Sequence, residues 1–121
     1  METEAALDAL SALAQEARLA VFRTLVKAGA EGMAAGEIAE RVGVPSSTLS
    51  SHLNILAHAG LVRRRRESRS VIYAADYGSM NALLTFLTED CCQGHPAVCG
   101  PLLKSLERCA PACGPATGGI Q

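Results

Sequence analysis

The run IAERVGVPSSTLSSHLNILAHAGLVRRRRESR (residues 38–69) holds two helical patterns, a tight turn and a basic segment, in that order. Ala35, Ile38, Ala39 and Val42 recur at i, i+3, i+4 and i+7, an apolar stripe about two turns long. Gly43 is placed to close that helix in the left-handed conformation. Val44 and Pro45 make the turn, and Ser46 is expected to cap the next helix. In that helix Leu49, Leu53 and Leu56 form the inward stripe, and Gly60 ends it. Its other faces carry Ser47, Thr48, Ser50, Ser51, His52, Asn54 and His58, short hydrogen-bonding side chains with no acid among them. Leu61 to Arg66 and Ser70 to Ala75 read as two strands joined by Glu67-Ser68-Arg69. Two short helices across Gly43-Val44-Pro45-Ser46, followed by a basic hairpin, predict a winged helix-turn-helix.

The charge distribution points the same way. The whole chain has 121 residues and a net charge of −1, which does not suggest a nucleic-acid partner. The segment 44–75, however, holds Arg63, Arg64, Arg65, Arg66 and Arg69 against a single acid, Glu67. A local basic patch on a neutral protein can still track phosphates. Ser47, Thr48, Ser50, Ser51 and His52 are therefore expected to face the major groove of double-stranded DNA. Arg65, Arg66 and Arg69 are expected to hold flanking phosphates or the minor groove.

Outward from this centre, Leu7, Leu10 and Leu13 sit at helical spacing, which predicts a helix over about residues 3–14. A second helix runs from Gln15 or Glu16 to Ala28, with Leu19, Phe22 and Val26 as its stripe. Gly29 and Gly32 punctuate a loop. Beyond the hairpin, Asp76 or Ser79 caps a fifth helix carrying Met80, Leu83, Leu84 and Leu87. The expected fold is mainly α with a small β-hairpin. Residues 1–92 form the DNA-binding and dimerisation domain, and residues 93–121 form a Cys-containing extension expected to be partly mobile, its last part rich in Gly, Pro and Ala.

No apolar run approaches the roughly 20 residues needed to span a bilayer. The acidic start METEAALDAL has neither a basic region nor an apolar core of the signal-peptide kind, so a cytoplasmic location and no membrane partner are expected. Aromatic residues make up 3% of the chain, too few for stacking platforms on single-stranded nucleic acid. There is no Gly-rich phosphate loop and no Ser-His-Asp arrangement, so an enzyme is not expected.

Five cysteines in such a setting point to metal ligation or reactive thiols rather than a disulfide framework. Cys91 and Cys92 are adjacent and Cys99 follows seven residues later. Neighbouring side chains diverge by about 100° on a helix, so both reach one centre only if the helix frays there. Gly94 and Pro96 would let the chain turn and return Cys99. Three thiolates suit a soft, three-coordinate ion such as As(III) or Sb(III). Zinc prefers a fourth ligand, which His95, Cys109 or Cys113 could supply, so a zinc site stays open. A redox-switched pair of thiols is a further alternative. Catalytic thiols are disfavoured, because Glu89 and Asp90 and a preceding helix C-terminus all raise a thiol pKa.

Residues 38–62 resemble the core of the ArsR/SmtB family of bacterial metal-responsive repressors. The resemblance is carried by Ser50-x-His52-Leu53-x-x-Leu56, Ala59-Gly60-Leu61-Val62 and Arg66-Glu67-x-Arg69. Glu16-Ala17-Arg18-Leu19 is similar to the family's P-x-R-L, and the likeness extends over about residues 4–92. At the wing tip Ser68 stands where many members have Gly. The resemblance implies a homodimer built through the first and fifth helices, and a repressor of operator DNA. The third-helix stretch Glu37 to Val42 lacks the Cys-x-Cys pair of some arsenic sensors, and the fifth helix lacks the histidines of zinc sensors. What remains is similar to arsenic repressors with a Cys-Cys-x(n)-Cys site after the fifth helix. That implies Cys91, Cys92 and Cys99 as ligands, As(III) or Sb(III) as inducer, and control of arsenic-resistance genes.

Overall fold

The computed structural model describes residues 1–88. The readings made for residues 89–121, Cys91, Cys92 and Cys99 among them, lie outside the described residues. Five helices and three short strands follow in the order α1 (Thr3–Leu13), α2 (Glu16–Ala28), β1 (Met33–Ala34), α3 (Ala35–Val42), α4 (Ser46–His58), β2 (Val62–Glu67), β3 (Ser70–Ala75) and α5 (Tyr77–Thr88). The strands form one antiparallel sheet in the order β1-β3-β2. This is the winged helix-turn-helix that the sequence predicts, and a compact unit spans Met1–Phe86.

The core is aliphatic. Val21, Leu25, Ile38, Leu49, Leu53, Leu56 and Leu61 are all but sealed from solvent, and no polar or charged residue is buried among the described residues. Full burial of each such side chain contributes about 1.5–3 kcal/mol. The stripe of α4 is the one read from sequence, so three leucines lock the polar face of this helix outward. Gly43 closes α3 with φ 81° and ψ 35°, the left-handed cap expected there.

Three details differ from the sequence reading. Ser46 is the first residue of α4 rather than its cap: Pro45 holds the N-cap position, and no side chain bonds the first turn. A proline there has extended backbone, φ −64° and ψ 151°, and aims the chain into the helix without a capping oxygen. On α2 the residues facing the core are Val21, Phe22 and Leu25, while Leu19 is 44% exposed and Val26 is half-buried. Of the expected stripe, Phe22 is buried and Val26 packs against the core, whereas Leu19 lies outside it and Val21 and Leu25 complete the buried face. Leu19, Phe22 and Val26 also line a groove of about 410 Å³ with Leu61, Met80, Leu83 and Leu84.

The third difference is β1, read as part of a loop. Two residues are too few for an alternating pattern, and the strand exists because β3 offers it a partner: Met33 faces Tyr73 and Ala34 faces Ile72. Gly32 enables the approach. Its φ is +74°, and a Cβ there would overlap the carbonyl oxygen of Tyr73 and lie 2.9 Å from Ile72 Cγ2.

On α1 the inward positions are Ala6, Ala9 and Ala12, whereas Leu7 is 60% and Leu10 40% exposed. The helix is fixed at its end by Arg18, whose Nε donates to the carbonyl of Ala12 at 2.6 Å. Tyr77 ties the start of α5 to the end of α2 by donating its hydroxyl proton to the Val26 carbonyl at 2.9 Å.

Candidate nucleic-acid interface

The candidate site consists of the outer face of α4 and the hairpin β2–β3. Burying Leu49, Leu53 and Leu56 leaves Ser47, Thr48, Ser50 and Ser51 exposed, grouped in the first half of the helix. There is no acid in the first turn of α4. Its N-terminal end therefore presents hydroxyls and unpaired backbone N–H groups with a partial positive charge, an arrangement suited to phosphates and base-edge acceptors. His52 is less open than the four hydroxyl residues. It is half-buried on the flank of the leucine stripe, and its Nδ1 lies inside without a hydrogen-bond partner among the described residues. Asn54 and His58 sit further along, beside Asp8 and Ser11 of α1 in a shallow hollow between the two helices.

The hairpin register sorts the five arginines. Arg64 lies opposite Tyr73 and Arg66 opposite Val71, whereas Arg63 lies opposite Ala74 and Arg65 opposite Ile72. Alternation along the strand thus puts Arg64 and Arg66 on one face and Arg63 and Arg65 on the other. The second face is engaged within the chain. Arg65 donates through one amine to the carbonyl of Glu31 at 2.8 Å and through Nε to the carboxylate of Glu67 at 3.1 Å. Arg63 Nε lies 3.8 Å from Asp76 Oδ2. Arg64, Arg66 and Arg69 are exposed and make no ion pair with any described acid.

The register therefore puts Arg66 on one face with Arg64, a residue the sequence reading left out, while Arg69 stands exposed in the turn at the tip. The structure turns Arg65 into a brace between the wing and the loop before β1. The missed signal was available: in a strand, residues two apart share a face, so Arg66 points to Arg64 rather than to Arg65.

At the tip Ser68 has φ +54° and is the one non-glycine residue with positive φ among those described. It occupies the first central position of a two-residue turn between Glu67 and Ser70, where a positive φ favours glycine. Ser68→Gly should relieve this strain and raise stability by about 0.5 kcal/mol, the relief exceeding the added entropy of the unfolded chain. Thermal melting and slower amide exchange across residues 62–75 would register the gain. A lower melting temperature would show that the serine is accommodated without strain.

The geometry has known counterparts. A family model described as a helix-turn-helix domain matches residues 13–65. The chain is 35% identical over 88 residues to the nodulation protein NolR of Rhizobium meliloti, covering 73% of this chain and 70% of that protein. It is 31% identical over 86 residues to the transcriptional activator HlyU of Vibrio cholerae, covering 71% and 77% respectively. Among solved structures it is similar, with a TM-score of 0.59 and 27% identity, to a homodimeric winged helix-turn-helix DNA-binding domain from Mycobacterium bovis described as a possible ArsR-family transcriptional regulator. That match covers 72% of this chain and 81% of the other.

Proposed function

Since the chain belongs to the ArsR/SmtB family of winged helix-turn-helix transcriptional regulators, we propose that it is a homodimeric repressor of operator DNA, released when As(III) or Sb(III) binds Cys91, Cys92 and Cys99. Membership makes it a DNA-binding regulator and not an enzyme. No helix among the described residues is long and apolar enough to cross a membrane.

The DNA half of the proposal rests on two exposed features, the hydroxyl-lined start of α4 and Arg64, Arg66 and Arg69 of the hairpin, which make no ion pair with any described acid. Ser47, Thr48, Ser50 and Ser51 read the major groove, and Arg64, Arg66 and Arg69 hold the backbone. Two-fold DNA sites are read by two-fold proteins, because one module of this size makes few base contacts. A second copy is the partner that the exposed leucines of α1, Leu7 and Leu10, call for.

The inducer half rests on donor chemistry. Cys91 and Cys92 follow Thr88, the last described residue of α5, by three and four positions. Three soft thiolates fit a trigonal metalloid, and the described residues contain no thiol that could compete. The metalloid must bind the DNA-incompetent state more tightly, or it shifts nothing. A coupling of about 1–3 kcal/mol is typical of such regulators.

Titrating the reduced protein with arsenite, antimonite and zinc, with free thiols counted at each step, tests this directly. The expected result is one arsenite per chain consuming three thiols. Cys91→Ser and Cys92→Ser should bind DNA as the unsubstituted protein does, yet stay bound at arsenite concentrations that release it. Zinc uptake with four thiols would favour a zinc-responsive repressor. Release by peroxide but not by arsenite would favour a redox switch. In either case the DNA half stands.

A further inference from the structure

The wing and α5 meet at one carboxylate. Asp76 lies between β3 and α5, half-buried, and its two oxygens face different elements. Oδ1 accepts the backbone N–H of Ser79 at 3.0 Å and so caps the first turn of α5. Oδ2 lies 3.8 Å from Nε of Arg63 on β2. The backbone of Asp76 adds a third connection. Its N–H donates to the Leu61 carbonyl at 2.8 Å, and the N–H of Leu61 donates to the carbonyl of Leu56 at the end of α4. Gly78 leaves room for the cap, since a Cβ there would come within 3.3 Å of Asp76 Oδ1.

The two oxygens belong to one rigid group. A shift of the first turn of α5 that draws on Oδ1 must also move Oδ2 relative to Arg63. With the cap closed, Asp76 holds Arg63 back from a phosphate; with the carboxylate displaced, Arg63 is free. We propose that Asp76 is the positioning residue that couples α5 to the wing, setting how many arginines the hairpin offers to DNA. The proposal rests on the hairpin being a DNA contact, and it needs no inducer for its test. Coupling between sites is reciprocal, so DNA bound at the wing must be felt at the cap of α5.

The test uses the full chain and a duplex selected by the unsubstituted protein from a random pool. Asp76→Asn keeps an oxygen for the Ser79 N–H and removes the charge facing Arg63. It should bind DNA about fivefold more tightly at physiological salt, with a salt slope steeper by about 0.9, the mark of one added phosphate contact. Adding Arg63→Gln should cancel both changes. In the unsubstituted protein, DNA should alter hydrogen exchange at the Ser79 and Met80 amides, and Arg63→Gln alone should abolish that response. Arg63 is exposed, so this second arm remains informative if Asp76→Asn folds poorly. An unchanged salt slope in well-folded Asp76→Asn, or a DNA response at Ser79 that survives Arg63→Gln, would overturn the proposal. Failure of the unsubstituted protein to select any duplex would remove the DNA reading itself, and the coupling with it.

Discussion

Replacing Arg64, Arg66 and Arg69 together with alanine should weaken DNA binding about a hundredfold at physiological salt. Each phosphate contact contributes about 0.9 to the slope of log affinity against log salt, so losing three should flatten it by about 2.7. All three side chains are exposed and outside the core, so the melting temperature should hardly move. The comparison that decides the assignment is the double substitution Arg63→Ala and Arg65→Ala. It removes as much charge as any two of the first set. Yet Arg65 is bonded to Glu31 and Glu67, and Arg63 faces Asp76. Its slope should therefore change far less, and its main effect should be a looser wing. Equal slope changes per arginine in the two sets would mean that register and partners do not select the phosphate contacts.

The largest loss of stability is expected from Gly32→Ala. The substitution brings two costs at once. A φ of +74° strains any L-residue by about 1–2 kcal/mol. The new methyl group would also overlap the Tyr73 carbonyl, and pushing strands apart to relieve such a contact costs about 1–3 kcal/mol more. A total of about 3 kcal/mol lowers the melting temperature of a domain this size by roughly 15 °C. The damage should be local first. β1 pairs with β3 through the next two residues, and Arg65 grips the carbonyl just before the glycine. Exchange at Met33, Ala34, Ile72 and Tyr73 should therefore rise ahead of global unfolding. A melting temperature within two or three degrees of the unsubstituted protein would show that the β1 loop can yield at little cost.

Much of this fold was legible because its helices are short and punctuated. Gly43 and Gly60 end α3 and α4 where expected, both with positive φ. The leucines of α4 fix its polar face without reference to anything distant. What the sequence did not show has another cause: it depends on partners far along the chain. β1 is a strand because of residues 72 and 73, and Arg65 is engaged because of Glu31, 34 positions away. On α2 the spacing found Phe22 and Val26, but Leu19 is exposed and Val21 and Leu25 share the buried face. Arg18 is a milder case. It belongs to the family-like motif Glu16-Ala17-Arg18-Leu19, and its physical role, closing the last turn of α1 at the Ala12 carbonyl, emerges from geometry. His52 illustrates the limit for the site itself. A helical wheel puts it beside the leucines, and only packing decides whether such a flanking ring turns outward or in.

The alanine face of α1 carries a consequence for dosage. Methyl groups hold this helix to its own chain, and its larger side chains, Leu7 and Leu10, point away from it. Where a second copy supplies their partner, the working species is a product of two concentrations. Below the dissociation constant of the pair, halving the number of chains in a cell would cut the assembled species about fourfold. The abundance of the protein would then help set the threshold of its own switch, together with whatever signal it senses.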